Sequence, residues 1–216
     1  MDVIDFQSTA DGNLQLMDTT YGEKQFDEIL LAPAPGRNLA VRQVVFRNCA
    51  TRPGTCRVLS GVTLENVSFI DLDCGDALRL CTESVVSHVL VSGNRPKSLI
   101  VRPATNDAYS IPVIANTDWQ LDISRFAGEV EVVGMRGNMV RKDSVRHATI
   151  KAAWGTSVDW KCLGIGPFSY WRIFIKKLSV FRTEEGVFSL PDAGHKHYAE
   201  VIREKAILEK AGLCFA

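Results

Sequence analysis

Hydrophobic residues recur at every fifth position through two stretches in the first half of the chain, and a second hydrophobic position follows most of them two residues later. The first series contains Leu39, Val44 and Cys49 with Val41 and Phe46, and the second contains Val62, Val67, Leu72 and Ala77 with Leu64, Phe69 and Cys74. The phase breaks at residues 51–55, where Pro53 and Gly54 indicate a loop. A five-residue period that resumes after a loop indicates a series of short, similar segments rather than one helix.

A longer period of 21 to 23 residues is superimposed on the short one. The similar segments are 43–46, 66–69 and 88–91 in one set, and 56–58, 78–80 and 99–101 in the other. A single coil of this length cannot bury its inward residues alone, but stacked coils bury them in a continuous core and form hydrogen bonds with each other. The two periods together therefore predict a parallel β-solenoid.

The segments 44–49 and 64–71 resemble degenerate coils of the pentapeptide-repeat proteins and of related right-handed parallel β-helices. The resemblance covers residues 39–103, roughly a third of the chain, and implies a right-handed coil whose narrow interior is filled by small and medium side chains. The chain departs from the pattern at Arg79, which occupies a central position, and after Ser84, where the five-residue phase is poor. We therefore expect a β-helix rather than a member of the pentapeptide-repeat family.

The patterns divide the chain into three parts. Residues 1–38 are rich in turn signals and are predicted to cap one end of the solenoid, which would otherwise expose unpaired backbone. Residues 39–158 are predicted to form the β-helix, because strand-like segments continue beyond residue 103. These further segments are 111–114, 120–123, 128–133 and 145–150.

Residues 159–216 are predicted to form a C-terminal cap. The segment 170–175 has the composition of a strong strand. Residues 194–211 favour a helix, with Asp192 as its N-cap and Gly212 as its end. The predicted fold class is therefore mainly β: a short right-handed parallel β-helix with a C-terminal α+β cap that ends in a helix.

The charge balance argues against nucleic acid as the main partner. Lysine plus arginine and aspartate plus glutamate both number 25, so the formal net charge is zero, whereas proteins that hold phosphates usually have a basic excess. Residues 1–5 carry acids where a signal peptide would carry bases, and no apolar run is long enough to cross a bilayer. We expect a soluble, cytoplasmic protein without a membrane partner.

Six cysteines raise the question of disulfide bonds or a metal site. Cys49 and Cys56, and likewise Cys74 and Cys81, have six residues between them, which is not the spacing of zinc-binding pairs. Without a signal peptide, the cysteines are predicted to be reduced and buried, and this includes Cys162, whose thiol would otherwise be a candidate nucleophile. We expect no bound metal and no cofactor.

The densest group of carboxylates is Asp71, Asp73 and Asp76. In β-helix lyases and hydrolases, acids on adjacent coils bind calcium or act as acid and base. The positions one coil away in this chain are Asn48, Arg52, Asn94 and Arg95, none of which is acidic. A polar outer face is therefore the favoured interpretation, and catalysis by the three aspartates is the alternative.

The histidines give a weaker indication of a site. His195 and His197 follow Asp192 closely, but two histidines two residues apart do not share a helix face as metal ligands would. We expect exposed histidines at the start of a helix. His88 and His147 are isolated in the sequence and are expected to be structural or exposed.

In another segment, basic residues alternate with aromatic residues, as they do in binding sites for single-stranded nucleic acid. Its bases are Arg172, Lys176, Lys177 and Arg182, and its aromatic residues are Trp171, Phe174 and Phe181. A β-hairpin with one apolar and one charged face is the favoured interpretation, because the net charge does not support nucleic-acid binding. Neither a nucleophile elbow nor a phosphate-binding glycine loop is present in the sequence.

These observations favour a non-catalytic, protein-binding β-solenoid, because a rigid flat face suits protein recognition and no catalytic constellation is complete. By analogy of fold, such a chain fits a bacterial immunity protein or antitoxin that neutralises a toxin by covering its active site. The expected partner is a protein, such as a cognate toxin. The alternative function is a β-helix carbohydrate-active enzyme, a lyase or hydrolase, that uses Asp71, Asp73 and Asp76.

Overall fold

The computed structural model describes residues 1–105 and 116–216. The strands are β1 (Gln7–Ser8), β2 (Leu14–Gly22), β3 (Ile29–Leu31), β4 (Leu39–Arg47), β5 (Cys56–Val58), β6 (Val62–Ile70), β7 (Ala77–Cys81), β8 (Val85–Ser87), β9 (Val89–Ser92), β10 (Ser98–Arg102), β11 (Leu121–Asp122), β12 (Glu129–Val133), β13 (Val140–Arg141), β14 (His147–Lys151) and β15 (Glu185–Ser189). The helices are α1 (Trp154–Ser157), α2 (Tyr170–Val180) and α3 (Tyr198–Lys210), and a 3-10 turn spans Gly137–Met139. The strand predicted at 111–114 lies outside the described residues.

Two parallel sheets run along the solenoid axis. The first has the order β2-β4-β6-β9-β11-β13, with β8 also paired to β6, and the second has the order β3-β5-β7-β10-β12. Successive coils contribute to both sheets, which makes a parallel β-solenoid of about five turns with helices near the C-terminus. This confirms the predicted fold class. Val44 pairs with Val67 and Leu78 with Leu99, so the observed register equals the sequence offsets.

In the first four coils, the five-residue period is the distance between two bends. At each bend one residue adopts the left-handed backbone conformation, with φ of 47° to 54° where the residue has a side chain. One column of bends contains Asp18, Gln43, Asn66 and His88, and the other contains Glu23, Asn48, Asp71 and Gly93. Asn and Asp adopt this conformation more readily than most residues. Between two bends the chain alternates, so Val44 and Phe46 are fully buried while Val45 faces outward.

Aromatic rings stack inside the solenoid. Phe46 lies over Phe69 with 5.5 Å between ring centroids and 4° between ring planes, and Tyr21 lies 5.1 Å from Phe46 on the preceding coil. Both phenylalanines are fully buried. Because each ring packs on the ring of the neighbouring coil, the core is continuous along the axis.

The C-terminal cap continues the second sheet with reversed strand direction. Strand β15 pairs antiparallel to β12, and β14 pairs antiparallel to β15. Helices α2 and α3 bury Trp171, Leu178 and Leu208 in a second hydrophobic cluster that also contains Ile150 and Phe188. The cap thereby covers the edge of β12, which would otherwise expose unpaired backbone groups. None of the helices in the described part of the chain is long and apolar enough to span a membrane.

The prediction of a strand at 170–175 is wrong, because these residues begin helix α2. Its buried residues Trp171, Ile175 and Leu178 are spaced by four and three positions, as one face of a helix requires. The Ser169 hydroxyl accepts a hydrogen bond from a backbone N–H of the first turn and so caps the helix. Bulky and aromatic residues favour strands locally, but the burial of this face decides the structure.

The predicted C-terminal helix is present as α3, with a different start. Asp192 is not its N-cap, because His197 holds that position without a side-chain capping hydrogen bond. The Asp192 carbonyl oxygen accepts a hydrogen bond from His195 N over 2.8 Å instead, which places a turn before the helix. Gly212, with a φ of 90°, follows the helix end as predicted.

The first coil lies near the N-terminus of the chain. Parallel pairing begins at Leu14, because β2 pairs with β4 and β3 pairs with β5. Of these strands, β2 and β3 lie within residues 1–38. At the other end, β14 lies within residues 39–158 and pairs antiparallel with β15 as part of the cap.

We expect Phe46→Ala to lower the free energy of unfolding by about 3–5 kcal/mol, since it removes a buried ring from the stack and leaves a cavity between two coils. Chemical denaturation followed by circular dichroism measures the change. The outward neighbour Val45→Ala is the control and should cost less than about 1 kcal/mol. Equal losses for the two variants would contradict the assignment of the stack as the centre of the core.

A second prediction concerns His147, which is buried in β14 with neither ring nitrogen hydrogen-bonded to the described residues. Burial lowers the pKa of His147 from 6.5 to about 4, and nearby Arg146 acts in the same direction. The unfolded chain therefore binds this proton at a higher pH than the folded chain does. Stability that is fully present above pH 6.5 is lost progressively as the pH falls toward 4.

We expect His147→Leu to reduce the loss of unfolding free energy between pH 7 and pH 4.5 by roughly 2 kcal/mol. Urea denaturation at several pH values measures this difference. The exposed His195→Gln, measured in the same way, is the matched control for removal of an imidazole. An unaltered pH dependence for His147→Leu would show that the buried imidazole does not contribute to acid sensitivity.

Candidate functional site

A groove of about 520 Å³ lies where the outer face of the second sheet meets the cap. One wall consists of residues 98–100 and 127–131 of the solenoid, and the other consists of α2, the residues that follow β15, and α3. Ligand sites often form where two packed units meet. We call this feature the cap groove.

Direct hydrogen bonds join the two walls of the cap groove. Lys177 Nζ on α2 lies 2.7 Å from Glu131 Oε2 on β12. The Tyr170 hydroxyl donates to the carbonyl oxygen of Ser189, and Ser189 Oγ accepts a hydrogen bond from Val130 N over 2.7 Å. Because these bonds connect the sheet to the cap, the groove is already formed in the free protein.

Two apolar side chains on the cap side of the groove are exposed. Phe168, just before α2, is 88% exposed, and Ile173 on α2 is 49% exposed. Behind them, Phe174 packs against Tyr170 with ring centroids 4.5 Å apart and against Phe188 with centroids 4.2 Å apart. Apolar surface that is exposed along a cleft is typical of a binding surface.

The lining of the groove carries more negative than positive charge. Its acids are Glu129, Glu131, Asp192, Glu200 and Glu204, and its Lys and Arg residues are Arg146 and Lys177. Arg146 already donates to the backbone carbonyl oxygens of Phe126 and Ala127, and Lys177 is paired with Glu131. The remaining carboxylates therefore favour a cationic group in the groove.

Glu204 is the most buried of these acids. It is 3% exposed, and its Oε2 has no hydrogen-bond partner among the described residues. Burial raises the pKa of the Glu204 carboxyl, and the charge of Glu200 raises it further. A cation placed beside this carboxyl would lower its pKa again, so binding and deprotonation would support each other.

The three aspartates singled out in the sequence contact the next coil. The pairs are Asp71 Oδ1 with Asn94 N at 2.7 Å, Asp73 Oδ2 with Arg95 Nη1 at 2.5 Å, and Asp76 Oδ1 with Lys97 Nζ at 3.8 Å. Asn94 and Arg95 are the positions expected one coil away. The carboxylates thus link successive coils, each through a different partner.

Asp71 also explains why the second column of bends ends in a glycine. A Cβ atom added at Gly93 would lie 2.3 Å from Asp71 Oδ1, so the carboxylate occupies the space of a side chain. Gly93 has a φ of 96°, which a side chain would disfavour. The fold therefore accounts for Asp71 without a catalytic role.

The two histidines near the start of α3 are exposed, as predicted, and they line the cap groove. His197 Nδ1 lies 3.6 Å from Glu200 Oε2. Within the described ranges, no group of three or more His, Cys, Asp or Glu residues is arranged to hold a metal ion.

The interleaved bases and aromatic residues lie along α2 and its end rather than on a β-hairpin, so that prediction is wrong. Trp171 is fully buried, Lys177 pairs with Glu131 in the groove, and Arg172 lies 5.8 Å from the centre of the Trp160 ring. Helical periodicity distributes the segment over the core, the groove and the surface.

The prediction of buried cysteines is right for four and wrong for two. Cys49, Cys56, Cys74 and Cys81 are buried, whereas Cys162 and Cys214 are exposed, and all six are free thiols. The four buried cysteines belong to the repeating coils, where small side chains face inward. The two exposed ones lie in the turn after α1 and in the tail after α3, where no periodicity indicates burial.

His88 contacts residues of the neighbouring coil. Its Nε2 lies 2.6 Å from Asp118 Oδ1, and its ring lies 4.7 Å from the Trp119 ring. Arg141 lies 4.4 Å from the centre of the Trp119 ring and 3.7 Å from Asp118 Oδ2. These residues come from successive coils, so only knowledge of the coil register could have brought them together.

We expect Asp71→Ala to lower the free energy of unfolding by about 1–2 kcal/mol, since alanine disfavours the left-handed bend and the Asn94 N–H loses its acceptor. Asp71→Asn keeps both features and should stay within about 0.5 kcal/mol of the unsubstituted protein. Chemical denaturation of both variants measures the difference. A polysaccharide-cleaving activity that both substitutions abolish would contradict the structural role.

Comparison with known proteins leaves the function to be argued from this geometry. No family model, no curated protein and no solved structure matches the chain. The likeness to pentapeptide-repeat coils therefore remains a resemblance of short segments.

Proposed function

We propose that this protein binds a segment of another protein in the cap groove and does not catalyse a reaction. The observation that carries the proposal is the exposed Phe168 at the edge of a groove whose walls are joined by direct hydrogen bonds. A preformed groove requires little ordering of the protein on binding, so more of the gain from contact remains as affinity.

The shape and charge of the groove define the segment that fits it. An apolar side chain of the partner would cover Phe168 and Ile173, and each apolar side chain buried contributes about 1.5–3 kcal/mol. A neighbouring lysine or arginine of the partner would face the excess of carboxylates, because Arg146 and Lys177 are engaged within the protein. The proposed occupant is therefore a segment that combines an apolar residue with a basic one.

The positions of the other acids support binding over catalysis. Glycosidases need two carboxyl groups that face the same sugar bond. Asp71, Asp73 and Asp76 instead contact three different residues of the next coil, two of which are positively charged. Their chemistry is consistent with holding the coils in register.

Neutralisation of a toxin is the biological form of binding that we propose. Such a role requires a rigid surface that covers a partner's active site and requires no chemistry from the binder. The partner expressed alone should then arrest growth, and co-expression with this protein should restore it. A partner that does not arrest growth when expressed alone would contradict toxin neutralisation. Binding of that partner in the cap groove would still be tested by the affinity measurement.

We expect the double substitution Phe168→Ser and Ile173→Ser to weaken binding of the partner by about 100-fold, since about 3 kcal/mol of apolar contact is lost. The partner is first isolated from source cells with the tagged protein as bait and then purified. Isothermal titration calorimetry with both purified proteins measures the affinity.

The control is Val145→Ser, which removes an apolar side chain that is 79% exposed and does not line the groove. This variant should bind as tightly as the unsubstituted protein, and circular dichroism should show all variants folded. Equal affinities for the groove variant and the control would overturn the proposal, as would the failure of the bait to bind any protein.

A further inference from the structure

Charges on neighbouring strands of this fold complement each other. Where two charged residues are paired in register, the pairs of opposite sign are Arg42 with Glu65, Asp122 with Arg141, and Lys151 with Glu185. Arg42 Nε lies 3.0 Å from Glu65 Oε2, and Lys151 Nζ lies 3.5 Å from Glu185 Oε1. Opposite charges at such positions stabilise a sheet, and like charges destabilise it.

One pair in the second sheet breaks this rule. Arg57 on β5 is paired in register with Arg79 on β7, so two guanidinium groups leave the same face of adjacent strands. Strands lie about 4.8 Å apart. Both side chains are exposed, and neither forms an ion pair with a carboxylate of the described residues. In the free protein this pair is a source of repulsion.

The in-register neighbours that flank the two arginines are apolar. Leu30 is paired in register with Arg57 on one side, and Ile100 is paired with Arg79 on the other. All four residues lie in one outward column across the second sheet. Ile100 also lines the cap groove, so the column leads from the arginines into the groove.

We propose that Arg57 and Arg79 bind the carboxylates of an acidic segment in the same protein partner that occupies the cap groove. This inference rests on the proposed function and adds the chemistry of a second contact. Each guanidinium offers two parallel N–H donors to a carboxylate, and a carboxylate between them removes their mutual repulsion. Leu30 and Ile100 provide apolar contacts on both sides of the acid.

A protein segment fits this column better than a nucleic acid does. Binding of single strands uses aromatic side chains on which bases stack, and the column offers leucine and isoleucine beside the arginines. The formal net charge of zero gives no long-range attraction for a polyanion. Nucleic acid is therefore treated as a competing outcome of the test.

The first part of the test measures the free protein. Arg79→Glu places an acid opposite Arg57 and should raise the melting temperature by about 1 °C or more, because repulsion becomes attraction. Arg47→Glu is the matched control: Arg47 is exposed on the first sheet, where its in-register neighbours Gly22 and Ile70 are uncharged. A melting temperature that does not rise in Arg79→Glu would remove the repulsion on which the inference depends.

The second part measures binding without the natural partner. The probe is a synthetic peptide of alternating glutamate and leucine residues, and microscale thermophoresis at low salt reports its affinity. Arg57→Glu and Arg79→Glu should each weaken binding of this peptide at least tenfold, while Arg47→Glu should leave it within twofold. Added salt should weaken binding to the unsubstituted protein more than to either variant.

Two results of the binding measurement would also overturn the inference. One is a peptide affinity that is absent or equal in all variants. The other is a single-stranded oligonucleotide that binds more tightly than the peptide and depends on the same arginines. Neither measurement uses the natural partner, so a negative result here does not test binding in the cap groove. That binding is tested separately by the double substitution Phe168→Ser and Ile173→Ser.

Discussion

The register between successive coils is the constraint on which the rest of the molecule depends. Two left-handed bends in each of the first four coils divide the chain into faces, and the alternation between them sends Val44 and Phe46 inward. A slip of one residue would carry Phe46 away from its stack on Phe69 and bring Val45 into the interior. Since the core and the bends set the register, side chains on the outer faces can vary without disturbing the fold.

The way the solenoid ends creates its main surface feature. A parallel sheet that stopped at β12 would leave an unpaired edge, and the antiparallel strand β15 closes that edge. Helix α2 then lies across the outer side of the same sheet, fastened by the pair Lys177 and Glu131. The helix covers only part of this face, so closing the solenoid leaves the cap groove beside β10. The site is thus a consequence of capping, placed where two rigid units meet.

The sequence predicts those features that every coil repeats. Val44 and Val67 occupy equivalent inward positions in successive coils, so their register can be predicted from the period of the sequence. Helix α2 could not be predicted from residues 170–175, because local strand propensity opposes it and the burial of Trp171 in the cap decides. The cap groove brings together residues as distant as Ser98 and Glu204, so no local pattern marks it.

A few exposed side chains do not stabilise the fold, and these residues form the basis of the proposed binding function. Phe168 is 88% exposed and stabilises little in the free protein, and the arginines of the in-register pair repel each other. The other charged residues that are paired in register have opposite signs, as Arg42 and Glu65 do. Local departures of this kind concentrate at functional sites. Ile100 lies in the column of the arginines and in the lining of the cap groove, so the two contacts proposed for a partner would form one continuous surface.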